Sequence, residues 1–121
     1  METQSVTSTA DGTGTGAISA LVASRKYVTV TSASATNQVS LPAAAAGTVG
    51  QEIDLYVGSN GYELITPASS NNTINTVDAD GTNQLDVAAN TLLRCVQITA
   101  TGWACYQVAA TTITVVAPDN D

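Results

Sequence analysis

Asp78, Asp80, Asn83 and Asp86 fall within the nine residues DADGTNQLD. Oxygen ligands at alternating spacing around a glycine resemble part of a calcium loop. The twelve-residue pattern is incomplete and lacks a closing bidentate Glu, so the segment reads as an Asx-rich turn and no metal or cofactor is assigned. Glu52 and Asp54 stand at i, i+2, and glycoside hydrolysis needs two carboxylates facing each other across a cleft. Strand alternation points both to solvent instead. No Ser or Cys has a His partner for nucleophilic catalysis, because the chain contains no His. A glycine-rich phosphate loop ending in Lys-Ser/Thr is also absent. No catalytic residue is assigned, and the expectation is a protein that is not an enzyme.

Three kinds of binding residue remain. Tyr27, Tyr56, Tyr62, Tyr106 and Trp103 are the aromatic residues. They suit a sugar-binding platform, with Tyr56 the best exposed, or anchors of a protein interface, which is the favoured reading. Arg25, Lys26 and Arg94 are the only cations. Arg25-Lys26 opens a strand and is read either as a contact to acidic groups or as a solvated edge. Cys95 and Cys105 sit on one hairpin. If Thr99 lies opposite Trp103, they face each other diagonally, so they are expected to stay reduced and buried.

These residues need elements to hold them. The chain has 121 residues, a net charge of -7 and only 11% charged residues, against about 25% in an average soluble protein. Three cations do not neutralise phosphates, so nucleic acid is excluded as a partner. No apolar run reaches the roughly 18 residues of a membrane span. Leu, Ile and Val, with no Phe, make up about a fifth of the chain. So small a supply of apolar surface favours self-association.

Strand signals recur every 8 to 12 residues, the spacing of an antiparallel sandwich, jelly roll or small barrel. The segments are 27–31, 38–41, 52–57, 62–66, 73–77, 84–87, 92–99 and 103–108. In 52–57, Ile53, Leu55 and Val57 face one side and Glu52, Asp54 and Tyr56 the other. Asn60-Gly61 predicts a hairpin between 52–57 and 62–66, since both residues tolerate positive φ. Residues 1–16, rich in Gly, Ser and Thr, read as a flexible N-terminal arm that orders only on a partner. They lack the basic start and apolar core of a signal peptide, so synthesis in a cytoplasm is expected. Residues 17–108 form the β domain, and 109–121 a C-terminal strand and tail. Thr112, Ile113 and Val115 in that strand are candidates for adding to a neighbouring sheet edge.

The order of certain marks is more specific. Gly16-Ala17-Ile18-Ser19 leads to a strand, then to Val39-Ser40-Leu41-Pro42 and Gly47. A Gly-Ser-Asn-Gly turn precedes Leu64-Ile65-Thr66-Pro67, and then come Thr73-Ile74-Asn75 and Thr101-Gly102-Trp103. This succession resembles a small β domain of tailed-phage virion surface proteins, a group that includes capsid decoration (cement) proteins, head fibres and tail-fibre modules. The resemblance covers residues 16–108 and carries no active site. It implies a structural protein, often a homotrimer, that binds the major capsid protein on the virion and is assembled in the host cytoplasm. Its short length favours decoration over a fibre module that binds host glycans.

Overall fold

The computed structural model describes residues 1–79 and 83–108. The ten strands are β1 (Glu2–Thr7), β2 (Arg25–Thr31), β3 (Gln38–Ser40), β4 (Glu52–Val57), β5 (Tyr62–Ile65), β6 (Thr73–Ile74), β7 (Val77–Asp78), β8 (Leu85–Val87), β9 (Thr91–Gln97) and β10 (Gly102–Gln107). They build a seven-stranded sheet, order β1-β2-β4-β9-β10-β6-β7, facing a three-stranded sheet, order β3-β5-β8.

The chain reaches this arrangement by coiling. β1, β2 and β4 stack in parallel on one side, while β3 and β5 stack in parallel on the other. Each connection from β2 to β5 therefore crosses from one sheet to the other instead of folding back. Register partners are 24 residues apart from Glu2 to Lys26 and 27 apart from Lys26 to Ile53. β8 and β9 close the stack with the chain reversed, antiparallel to β5 and β4. The result is a short β-solenoid of about four turns, which corrects the expected antiparallel sandwich, jelly roll or barrel. The content is all-β as expected; the connectivity is not.

The Asn60-Gly61 hairpin is part of the same correction. β4 and β5 lie in different sheets, so residues 58–61 form a corner between them. Neither Asn60 nor Gly61 adopts positive φ. Gly61 is needed because a Cβ there would collide with the Val87 carbonyl of the next turn. Asn60 Nδ2 donates to Ser32 O (2.9 Å), tying this corner to the one before it. The strand read at 73–77 is a two-residue hairpin, β6 to β7, turning at Asn75 and Thr76 with φ of 51° and 71°.

Residues 1–16 are built into the stack. β1 pairs with β2 over its whole length, Thr9 bridges Gln38, and Val6 is buried. Inside the coil, Val28, Val30, Ile53, Leu55, Val57, Leu93 and Cys95 from the large sheet meet Val39, Tyr62, Leu64 and Val87 from the small one. Leu41 and Pro42 follow β3, and Thr66 and Pro67 follow β5, at equivalent places in successive turns; Leu41 N donates to Ile65 O (2.9 Å) between them.

Candidate functional site

Every second residue of β1, β2, β4, β9 and β10 points away from the core. Pairing lines these residues up across the sheet. One row runs Thr3, Tyr27, Asp54, Arg94, Tyr106 and the next Ser5, Thr29, Tyr56, Leu92. Arg25 and Glu52 sit side by side in a third row.

Charge on this face is internally paired. Arg94 holds Asp54 with both ends of its fork, Nε to Oδ1 at 2.8 Å and Nη2 to Oδ2 at 3.2 Å. The Asp54 carboxylate beside it raises the Arg94 guanidinium above its ordinary value, by hydrogen bonding first and charge second. Arg25 Nε lies 3.0 Å from Glu52 Oε2, and its Nη2 lies 3.6 Å from Asp54 Oδ2. Glu52 and Asp54 thus form a paired ladder rather than the freely solvated face read from the sequence. Alternation alone does not show that arginines stand on the neighbouring strands.

The aromatic residues divide. Tyr27, Tyr56 and Tyr106 belong to the outer rows, Tyr56 and Tyr106 well exposed and Tyr27 half-buried. Tyr62 and Trp103 point inward and are buried. Tyr62 Oη and Trp103 Nε1 have no hydrogen-bond partner among the described residues. Burial pushes the Tyr62 phenol above its ordinary value. Beside Tyr27, the face dips into a shallow depression of about 400 Å³ lined by Met1, Thr3, Gln4, Ser5, Tyr27 and Thr29.

Lys26 is not a surface cation. It lies on the inner row opposite Ile53 and is 4% exposed. Its Nζ donates to Gln4 Oε1 (3.0 Å), Ser19 O (2.8 Å) and Ser19 Oγ (2.9 Å), sealing the end of the core where β1 runs out of apolar residues. Its assignment to partner binding is therefore withdrawn. Arg25 stays half exposed but already has its carboxylates. Thr112, Ile113 and Val115 lie outside the described residues.

The cysteine expectation is also corrected. Trp103 pairs with Gln97, not Thr99, so the loop at the hairpin tip is wider than the sequence suggests. Cys95 then stands directly opposite Cys105, with Cα atoms 4.2 Å apart, and the two form a disulfide. In the acidic turn, Asp80 lies outside the described residues and Asn83 Nδ2 donates to Asp78 O (2.9 Å) as a loop brace. Among the described residues, no three metal-binding side chains stand together.

The chain matches no known protein family, curated protein or solved structure.

The marks that carried the virion resemblance all have framework duties. Leu41 is buried at the corner after β3. Asn75 accepts from Cys105 N (2.8 Å) and donates to Cys105 O (3.0 Å), acting as a short surrogate strand. Trp103 fills the core between Gln97 and Ile74. Sequence reasoning missed the Asp54–Arg94 fork and three exposed apolar residues beyond one end of the large sheet: Val22 is 95% exposed, Val49 50% and Ile98 50%. Val22 and Val49 each precede their strand by three residues, and Ile98 follows the antiparallel β9, so all three lie beyond the same end of adjacent strands.

Proposed function

We propose that this chain is a structural protein of a tailed-phage virion surface, a decoration subunit that adheres to the major capsid protein and to copies of itself, with a homotrimer as the working unit. The resemblance in the order of LP, IN and GW marks supplies the class. The structural observation supporting adhesion is the exposure of Val22, Val49 and Ile98 beyond the same end of adjacent strands. Apolar side chains left this exposed at matching places on neighbouring turns gain about 25 cal/mol per Å² when a partner covers them. The rest of the molecule suits passive attachment, because both exposed arginines are paired with carboxylates on their own sheet and its corners are tied by side chains. Each attached subunit stabilises the assembled shell by mass action, since it binds the assembled state and not the dispersed one.

The test is stoichiometry in gradient-purified particles, measured by quantitative mass spectrometry against the major capsid protein. The reading expects a copy number comparable to the number of local symmetry positions on the shell. A few copies per particle would indicate a fibre or tail location, and absence from particles would remove the reading.

A further inference from the structure

The geometry points to a binding site for a neutral, hydroxyl-rich saccharide on the outer face of β1, β2 and β4. The depression beside Tyr27, about 400 Å³, is shallow and open, so a sugar ring would lie against it rather than be enclosed. A pyranose presents an apolar C–H face and a rim of hydroxyls. Tyr27 offers a ring for the first, held on a strand that is paired on both sides and so costs little further entropy to fix. The floor offers hydroxyls for the second. Ser5 Oγ and Thr29 Oγ1 lie 3.1 Å apart and share one hydrogen bond in which either is donor, leaving both oxygens capacity for a ligand.

Among the described residues no strand pairs with the outer edge of β1, and that edge adds backbone groups. Ser8 N donates across to Thr31 O, so the even-numbered residues of this strand direct their N–H and C=O toward β2. Thr3, Ser5 and Thr7 direct theirs to the open edge, and Thr7 O accordingly accepts from Thr15 Oγ1 (3.3 Å) on that side. Thr3 and Ser5 therefore bring both side-chain and main-chain groups to the rim. Tyr56 stands one strand over and two residues along from Tyr27, about 8 Å away by strand spacing and rise, where an adjoining sugar would meet it.

Charge selects the class of ligand. Arg25 and Arg94 are each neutralised by Glu52 or Asp54, so the face offers no net charge to sulfate, carboxylate or phosphate. The Ser5 and Thr29 hydroxyls would find partners on a hydroxylated ligand that a purely apolar one does not offer. What remains is a neutral oligosaccharide. The inference is independent of the particle-surface reading, since binding by the purified chain neither requires nor establishes attachment to a shell.

The test is a titration of the full ¹⁵N-labelled chain with maltohexaose, cellohexaose and mannohexaose, with a heparin hexasaccharide as anionic control. At least one neutral hexaose is expected to shift the amides of Ser5, Tyr27 and Thr29 saturably. Tyr27→Ala should weaken that binding about tenfold or more, while Tyr27→Phe, which keeps the ring, stays within about threefold. Tyr56→Ala, at a more exposed position, should weaken it with the spectrum otherwise unchanged, which keeps the test valid should Tyr27→Ala fail to fold. Absence of saturable shifts with all three neutral sugars, shifts confined to another face, undiminished binding in Tyr56→Ala, or stronger binding of heparin would each overturn the proposal.

Discussion

At the scale of single residues, polar side chains carry much of the specificity in a core made of small apolar ones. Gln97 is buried, donates from Nε2 to Ala45 O (2.7 Å) and Thr99 O (2.9 Å), and accepts from Thr48 Oγ1 (2.6 Å). Asn75 clamps both backbone groups of Cys105 while holding a positive φ that few residues adopt readily. Asn75→Ala removes two hydrogen bonds and should cost about 2–3 kcal/mol in chemical denaturation. Tyr62 presents the opposite case, a buried hydroxyl without a partner among the described residues. Tyr62→Phe removes the desolvation cost and keeps the ring, so it should raise stability by about 1 kcal/mol; a loss of that size would show that the hydroxyl has a partner. Asp11 accepts from Thr13 Oγ1 (2.7 Å) and Thr13 N (3.1 Å), and these bonds hold its carboxyl below 3.8. A depressed carboxylate stabilises its turn above the unfolded pKa and loses that effect as pH falls through the folded one. The Thr13 amide shift should therefore titrate with a midpoint below 3.8.

At the scale of elements, the alternation of Val, Ile and Leu was enough to locate most strands, and 52–57 matches β4 residue for residue. Which strand each one joins was not legible. Period-two alternation is the same for parallel and antiparallel partners, and the turn between β4 and β5 carries Asn-Gly, a pair that also serves hairpins. The repeat of about 25 residues was hidden because its signature is only a few small apolar residues and the paired Pro42 and Pro67. The outer aromatic face was partly legible, since Tyr56 was placed on it by alternation. Its charge pairing was not, because that depends on which strands are neighbours. Lys26 and the cysteines were misread for the same reason: an inward Lys needs partners from β1 and the 17–24 segment, and a one-hairpin disulfide depends on a loop register shifted by two residues. The disulfide closes a separation of 10 residues, for which loop-closure entropy gives about 2.5–3 kcal/mol. Reduction, or Cys95→Ala with Cys105→Ala, should lower the melting temperature by roughly 10 °C. An unchanged melting temperature would show that the thiols are not bridged in solution.

At the scale of the whole molecule, a solenoid has ends, and how they are covered decides its behaviour. β1 forms one end, with Val6 laid over the core and Lys26 sealing the corner. Removing residues 1–7 should strip that cover, expose the edge of β2 and produce a destabilised, aggregation-prone chain rather than a trimmed but intact one. Light scattering and thermal melting of the truncated chain would report both effects. Val22, Val49 and Ile98 are exposed apolar side chains beyond one end of the large sheet, and the proposed self-association would cover them. If copies meet there, light scattering in line with chromatography should return about three times the 12.2 kDa chain mass. Val22→Asp with Ile98→Asp should shift it toward the monomer. A wild-type monomer at micromolar concentration would remove self-association from the account. The measurement that bears most directly on the proposed role is a cryo-EM reconstruction of the particle at a resolution that separates strands. The account predicts short β-solenoid bodies seated on the outer shell at its local symmetry axes, with the Val22 end buried against a neighbour. A shell lacking such bodies, or bodies found only on the tail, would contradict it.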